Sequence, residues 1–202
     1  MRKYIEKSLV KALSYQDYKI KLSVILNKEK SKANPDLSLL QYLQLNQARM
    51  LRNDKQFSLQ KFCRETVPSR AKETYTWLVI SEPWCGDAAH VLPVLNKMAS
   101  NCSAVRLKIV LRDENSELMS QFLTRGKKSI PKLIVLDANK NVLFTWGPRP
   151  KEAQKLIDND LRIHKKLSRE AQIKLQKWYN EDAGKSIESE LYELINVTLQ
   201  KV

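Results

Sequence analysis

The order of short apolar strands and amphipathic helices between residues 74 and 147 constrains the fold most strongly. Residues 74–81, TYTWLVIS, are β-branched, aromatic and almost wholly apolar, which is typical of a buried strand. Residues 104–112 alternate in polarity and predict a second strand, and KLIVLD-ANKN-VLFTWG predicts an antiparallel hairpin. The segments between them predict helices, one from about Cys85 to Ser100 and one closed by Gly126. The order βαβαββ predicts an α/β fold with a mixed central sheet.

Helical patterns flank this core on both sides. Before it, apolar residues recur at three- and four-residue spacing, with Asp36 or Ser38 as the predicted N-cap of one helix. A hinge is predicted at VPSR, residues 67–70. After the core, Ser168 is the predicted N-cap of a further helix and Gly184 interrupts the pattern. We expect one domain over residues 1–202, made of an N-terminal helical extension (1–70), a core (74–147) and C-terminal helices (148–202).

Composition is that of an ordinary globular protein, with 43% hydrophobic and 29% charged residues. No segment approaches the roughly 20 apolar residues that a membrane-spanning helix needs. The first residues lack the apolar stretch of a signal peptide, so we expect a cytoplasmic location. The net charge of +14 fits either an acidic partner or a lysine-rich solvated surface. Because the basic residues are dispersed and no phosphate or nucleic-acid motif is present, we favour the second interpretation and expect no nucleic-acid or membrane partner.

The three cysteines are Cys63, Cys85 and Cys102. Their odd number and irregular spacing match neither a disulfide framework nor a zinc site, so we expect no metal and no cofactor. The two histidines, His90 and His164, are far apart in sequence. We expect His90 to be a solvated helix residue with no catalytic role.

Two motifs resemble thioredoxin. The segment WCGDAAHVLPVL, residues 84–95, resembles the thioredoxin active-site sequence. The segment SIPKL, residues 129–133, resembles the part of that fold that carries its cis-proline, and Gly147 falls where the fold usually has a glycine. The resemblance implies a thioredoxin fold over residues 77–147, with a cis bond between Ile130 and Pro131.

The whole chain resembles a less studied, mostly bacterial family of thioredoxin-like proteins in which helices flank the thioredoxin unit. The likeness is carried by NQARMLR, WLVISEPWCGDA, LRDENSELM, SIPKLIVLD, TWGPRP and WYNEDAGKS. Members of this family have the Cys-Gly-Asp-Ala motif that this chain has. The resemblance supplies no biochemical activity.

Cys85 is the candidate catalytic residue. At the start of a helix, free N–H groups and the helix dipole favour its thiolate, and the polar loop EPWCGD predicts an exposed nucleophile. The carboxylate of Asp87 acts in the opposite direction. The alternative is a small buried hydrophobe, since cysteine is among the most buried residues. The sequence leaves the sign of the net pKa shift open.

Two departures from dithiol thioredoxins limit the chemistry. Ala88 stands where the resemblance places the resolving cysteine, and Val79 stands where it places a buried acid. Cys102 is predicted on the same helix as Cys85, roughly 25 Å away, and nothing in the sequence brings Cys63 close. We therefore predict monothiol exchange through Cys85, with a protein or low-molecular-weight thiol as the resolving partner.

The resemblance also implies a substrate-binding surface around Cys85, formed by Trp84, Gly86, Asp87, Ile130 and Pro131. Three arginines either bind an anionic ligand near Cys85 or pair with carboxylates to fix the added helices: Arg49, Arg112 and Arg149.

Two functions from different classes remain open. The first is monothiol thiol–disulfide exchange, and the second is a non-catalytic thioredoxin-fold module that binds a peptide or protein. Iron–sulfur ligation ranks third because the motif lacks the Cys-Gly-Phe-Ser pattern of monothiol glutaredoxins and Asp87 would repel an anionic cluster. A catalytic cysteine must be exposed and acidic, whereas a scaffold cysteine need be neither. The sequence does not set the oligomeric state.

Overall fold

The computed structural model describes residues 1–59 and 74–199, and its α/β class is the predicted one. The sheet has the order β2-β1-β3-β4. Strands β1 and β2 are parallel, whereas β3 is antiparallel to both β1 and β4. Both Cys63 and the hinge predicted at 67–70 lie outside the described residues. The strands are β1 (Tyr75–Ser81), β2 (Val105–Leu111), β3 (Lys132–Leu136) and β4 (Val142–Trp146).

Eight helices lie within the described residues. Three precede the sheet, two connect its strands in the predicted βαβαββ order, and three follow it. They are α1 (Arg2–Val10), α2 (Tyr15–Lys30), α3 (Leu37–Gln56), α4 (Ala88–Ser100), α5 (Ser116–Gln121), α6 (Lys151–His164), α7 (Arg169–Asp182) and α8 (Lys185–Leu199).

Side-chain caps set several helix ends. Asp36 caps α3 by accepting a hydrogen bond from the Leu39 N–H at 3.0 Å, so Asp36 is the cap and Ser38 is not. Ser168 caps α7 in the same way, with the Ala171 N–H at 3.1 Å. Both are ordinary N-caps, and they confirm that helices begin where the sequence predicted a cap.

Two predicted helix boundaries were wrong. Helix α4 begins at Ala88, three residues after the predicted start at about Cys85, because Gly86 and Asp87 form a turn ahead of the first full helical residue. Helix α5 ends at Gln121 and does not reach Gly126. Arg125 and Gly126 both have positive φ, at 51° and 76°, and form the turn that joins Thr124 to Lys127 by two backbone hydrogen bonds. Gly126 therefore serves this turn and not a helix end.

The apolar core joins the sheet to helices from both flanking segments. One continuous buried cluster contains Ile5 of α1, Tyr18 of α2, Trp77 of β1 and Leu191 of α8. Helices α6 and α7 pack on each other through a smaller cluster that includes Ile157. The first and last helices of the described chain are therefore part of the main core.

Candidate functional site

Cys85 lies in the loop between β1 and α4, one turn before the helix begins. Its Sγ donates to the carbonyl oxygen of Ile130 at 3.4 Å. Only 7% of the residue is exposed. The expectation of an exposed cysteine was therefore wrong, because the flanking helices cover a loop that looks polar and open in sequence.

Burial is the main determinant of the pKa of the Cys85 thiol. Burial, and then the nearby carboxylate of Asp87, raise the pKa of Cys85 to about 12. The N–H groups of Ala88 and Asp87, together with the guanidinium of Arg149, act in the opposite direction but do not overcome it. The donors that the sequence predicted at this helix start are present, and the thiol is nevertheless protonated at neutral pH.

Asp87 is the centre of a buried ion pair. Its carboxylate receives two bonds from Arg149, from Nε at 2.9 Å and from Nη2 at 2.6 Å. The hydroxyl of Tyr179 on α7 donates to the same carboxylate at 2.9 Å. Burial raises the pKa of the Asp87 carboxyl, and Arg149 and Tyr179 oppose that rise. This geometry corresponds to the structural alternative for Arg149, since its guanidinium ties the active-site loop to the segment before α6.

Helix α3 reaches the same loop from the other side. Asn46 Nδ2 donates to the carbonyl oxygen of Pro83 at 2.9 Å, and Arg49 Nη1 donates to Asn46 Oδ1 at 3.0 Å. A Cβ built on Gly86 would lie 3.6 Å from Arg49 Nη1 and 3.7 Å from Gln176 Nε2. Arg49 and α7 therefore flank the residue that follows Cys85.

His90 is buried, which corrects the expectation of a solvated residue. It is 3% exposed and stacks on Tyr179, with ring centroids 4.4 Å apart. Its Nε2 lies 2.9 Å from Gln176 Oε1, and its Nδ1 lies 3.2 Å from Asn53 Nδ2. Since the first partner accepts and the second donates, the Nε2–H tautomer satisfies both contacts. Burial lowers the pKa of His90 to about 4.

The remaining sequence-predicted residues of the site differ in burial. The Arg112 guanidinium lies over the Trp84 ring, 4.8 Å from its centroid, and Arg112 Nε also donates to Asp113 at 2.9 Å. Trp84 and Gly86 are half-buried, whereas Ile130 and Pro131 are buried. Arg112 therefore covers Trp84 and pairs with Asp113, whereas Arg149 pairs with Asp87.

The loop that faces Cys85 is fixed by a second loop. The Ile130–Pro131 peptide bond is cis, and so is Gly147–Pro148. Gly147 has φ of +107°, and a Cβ there would overlap the carbonyl oxygen of Pro131. Only glycine combines this backbone conformation with so close an approach.

Sequence reasoning missed four residues that build the site: Asn46, Asn53, Gln176 and Tyr179. Two of them lie in stretches already noted for the family likeness, Asn46 in NQARMLR and Tyr179 in WYNEDAGKS. A second signal is the spacing of Asn46 and Asn53 on α3. Together with Leu43 and Met50, they share one face of the helix. Asparagines on an otherwise buried face predict a polar contact with another element.

A family model described as Thioredoxin matches residues 11–186 of the chain. This chain belongs to the thioredoxin family. The matched range covers the sheet, the Cys85 loop and the flanking helices α2, α3, α6 and α7, so the family model extends beyond the core on both sides. The thioredoxin fold with extra helices is thereby confirmed.

Two solved structures are similar to this family member. A protein of unknown function, PA1234 from Pseudomonas aeruginosa, is 20% identical over 77% of this chain and 82% of its own, with a TM-score of 0.48. An HIV epitope scaffold for 4E10 is 18% identical over 93% of this chain and 96% of its own, with a TM-score of 0.47. No curated protein matches the chain. These likenesses are too remote to bear on activity.

In this thioredoxin-family protein, apolar residues stand at the positions where dithiol thioredoxins have the resolving cysteine and the buried acid. Ala88 is the first residue of α4 and is 1% exposed, and Val79 lies fully buried in β1. Cys102 lies beyond the end of α4, not on it as predicted, and the length of that helix places it roughly 20 Å from Cys85. Among the described residues, no thiol is therefore placed to resolve a disulfide on Cys85.

The described residues lack a metal-ligand cluster and a membrane-spanning helix. They contain no group of three or more His, Cys, Asp and Glu side chains that could hold a metal ion. None of the helices formed by these residues has the length and apolarity needed to span a bilayer.

Proposed function

We propose that this protein binds a partner molecule at its thioredoxin-like site and does not exchange disulfides rapidly. The observation that carries the proposal is the state of Cys85. Its sulfur is buried against the Ile130 carbonyl, and its pKa is raised to about 12. By the criterion that separates a catalytic from a scaffold cysteine, these properties favour a scaffold.

The size of the pKa shift supports this preference. At pH 7 a thiol with a pKa of about 12 is ionised to about one part in 10⁵, whereas a free cysteine is ionised to about 3%. The greater nucleophilicity of the more basic thiolate offsets only about 40-fold of that difference. Exchange by the closed site is therefore about 10²-fold slower than exchange by a free cysteine, before any steric effect of burial.

The surface that we assign to the partner is the one implied by the family likeness. It comprises Trp84, Gly86, Asp87, Ile130 and Pro131. Of these, Trp84 and Gly86 keep partial exposure. Since Arg112 covers one face of Trp84, the exposed edge of this ring offers an apolar contact beside a cation.

Monothiol exchange is the second candidate, and one observation favours it. The N–H groups of Asp87 and Ala88 and the guanidinium of Arg149 all lower the pKa of Cys85. If the site opens and water reaches the Cys85 sulfur, these three contributions still lower its pKa, whereas the desolvation that raises it is lost. The Cys85 thiolate then attacks one sulfur of a substrate disulfide and releases the other as a thiolate. A second, external thiolate attacks the mixed disulfide, regenerates the Cys85 thiolate and leaves with the substrate sulfur as a new disulfide.

The pH dependence of Cys85 alkylation by iodoacetamide decides between the two functions. Binding without exchange predicts labelling at pH 8 about 10²-fold slower than that of a free cysteine, with no inflection between pH 6 and 9. Fast labelling with an inflection below about pH 8.5 would establish the exchange function instead.

Two controls keep this experiment interpretable. Cys102 is buried, so its replacement can disturb packing. The label is therefore assigned to Cys85 by peptide mass spectrometry in the wild-type chain as well as in a Cys63→Ser, Cys102→Ser variant. In 6 M guanidinium chloride the same cysteine must label at the rate of a free thiol.

We also infer that residues 1–202 form one domain in a reducing compartment such as the cytoplasm. The first inference is supported by the continuous cluster that joins α1, the sheet and α8. The second is supported by Cys85 and Cys102, which are both free thiols in the described residues.

A further inference from the structure

An open cavity lies next to the Cys85 site. It has a volume of about 590 Å³ and lies between the loop of residues 124–129, the turn at Gly147–Arg149 and one face of α6. Two residues connect it to the site. Ser129 lines it and precedes Ile130, and Arg149 lines it and pairs with Asp87. This volume falls in the range of small-molecule sites, about 300–1,000 Å³.

The lining of the cavity is strongly basic. Five cationic side chains and one carboxylate line it. Three of the cations already have acidic partners: Arg149 pairs with Asp87, Arg125 with Asp158 and Lys155 with Glu152. The other two, Lys127 and Lys151, have no ion-pair partner among the described residues. They leave two uncompensated positive charges on opposite walls, one on the loop and one at the start of α6.

A third cation lies behind the wall of the cavity. Lys132 is 7% exposed, and its Nζ donates to the hydroxyl of Thr124 at 3.2 Å, which is a neutral partner. No carboxylate pairs with Lys132 in the described part of the chain, and its burial lowers the pKa of its ammonium group. Because the Thr124 hydroxyl accepts from Lys132, its own hydrogen remains available to a ligand in the cavity that it lines.

The walls that carry these charges are held in place by other elements. The turn before Lys127 is fixed by reciprocal backbone bonds between Thr124 and Lys127. The start of α6 is fixed by Glu190 on α8, which accepts from the Lys151 N–H at 2.6 Å and from Trp146 Nε1 at 2.8 Å. An ion pair of 2.9 Å between Arg125 and Asp158 joins the loop to α6. Lys127 and Lys151 therefore lie on walls whose backbone is already fixed before a ligand binds.

We propose that this cavity binds a small organic anion that carries two or more carboxylate or phosphate groups on an apolar body. Lys127 and Lys151 bind separate anionic groups, Thr124 donates a hydrogen bond, and Ile157 and Leu161 of α6 contact the apolar part. The volume and the ion pair that joins its two walls favour a small molecule over a polypeptide or nucleic acid. The inference goes beyond the proposed function, because this cavity is a second site beside the Trp84 surface.

The test is isothermal titration calorimetry of the full chain at low salt with three probes. Citrate supplies carboxylates alone, ADP supplies phosphates joined through ribose to an aromatic base, and tetraglutamate represents an acidic polypeptide. We expect citrate or ADP to bind with a Kd below about 1 mM, and the better of the two identifies the preferred anionic group. Binding by tetraglutamate alone would overturn the proposal in favour of an acidic protein partner.

Two double variants locate the binding site. Lys127→Ala/Lys151→Ala should weaken binding by about tenfold or more, because each lysine makes a charge-assisted contact. The matched control, Lys11→Ala/Lys97→Ala, removes the same charge from exposed lysines outside the cavity and should have less than about a twofold effect.

The outcomes separate this inference from the proposed function. If neither citrate nor ADP binds, or if the two double variants behave alike, the ligand class is wrong whatever the alkylation of Cys85 shows. If the anion binds as expected and Cys85 labels rapidly with an acidic inflection, the cavity assignment stands and slow exchange is wrong.

Discussion

The Arg149 side chain separates two regions that satisfy their polar groups in different ways. On the Cys85 side, Asp87, Tyr179 and His90 are buried and hydrogen-bonded, and no buried side-chain nitrogen or oxygen among the described residues lacks a partner. On the cavity side, Lys127 and Lys151 have exposed charges with no acidic partner in the described residues. The buried polar groups around Cys85 therefore satisfy one another, whereas the neighbouring cavity has charged groups that remain available to a ligand.

The largest effect should come from removing the buried carboxylate. Asp87→Ala leaves the Arg149 guanidinium without its partner and the Tyr179 hydroxyl without an acceptor, so we expect a loss of about 3–5 kcal/mol in the free energy of unfolding. Urea denaturation measures it. The control is Glu170→Ala, which breaks an exposed ion pair with Lys174 and should leave stability nearly unchanged. Equal effects of the two substitutions would show that the Cys85 side is no more tightly built than the surface.

The buried imidazole of His90 predicts that the free energy of unfolding depends on pH. The pKa of His90 is about 4 in the folded protein and about 6.5 in the unfolded chain, so the unfolded state binds more protons between these values. Stability from His90 is therefore complete above about pH 6.5 and is lost as the pH falls towards 4, by about 3 kcal/mol in total.

His90→Gln should flatten this dependence relative to the wild-type protein, whereas His164→Gln, at an exposed position, should preserve it. Unfolding free energies measured from pH 4 to 7 give the comparison. Parallel curves for the wild-type protein and His90→Gln would contradict the buried neutral imidazole.

Substitutions at Gly126 and Gly147, in two loops that border the cavity, test how rigidly those loops are held. Gly147→Ala meets both a positive φ and the Pro131 carbonyl oxygen, whereas Gly126→Ala meets a positive φ with no atom within 4 Å of the new Cβ. We expect losses of about 3 kcal/mol for the first and about 1 kcal/mol for the second. Thermal unfolding distinguishes them, and similar losses would mean that the two loops can separate at little cost.

The smallest effect on stability should come from the cations of the open region. Lys127→Ala/Lys151→Ala removes side chains that make no ion pair, so we expect a change of less than about 0.5 kcal/mol in the free energy of unfolding. The same variant should lose most of its affinity for the anion. A large loss of stability would instead show that these lysines have partners in solution.

The sequence was sufficient for features that depend on local pattern and not for those that depend on packing between distant segments. The apolar run before Ser81 and the cap at Ser168 are read from neighbouring residues and were predicted correctly, and Asp36 was one of the two caps that the sequence left open. The exposure of Cys85 and His90 was predicted wrongly because it is set by α3 and α7. The contact residues of His90, Asn53 and Gln176, lie 37 and 86 residues from it in the chain.

Among the residues of the candidate site, the roles of the arginines show the same limit. The sequence left Arg149 open between an anion-binding and a structural role because it does not show which carboxylate lies within reach. The partner proved to be Asp87, a residue first considered for its effect on the cysteine. The basic cavity was missed altogether, since Lys127 and Lys151 are 24 residues apart and look like two ordinary surface lysines.

The contacts of Glu190 have a consequence for how this protein is assembled during synthesis. The single carboxylate of this residue on α8 holds both the end of the hairpin, through Trp146, and the first turn of α6, through the Lys151 N–H. A nascent chain that has emerged only as far as α7 lacks these two hydrogen bonds. Because a ligand that binds only the finished frame stabilises it by mass action, a metabolite in this cavity would favour docking of the last helix and protect newly made protein from proteolysis.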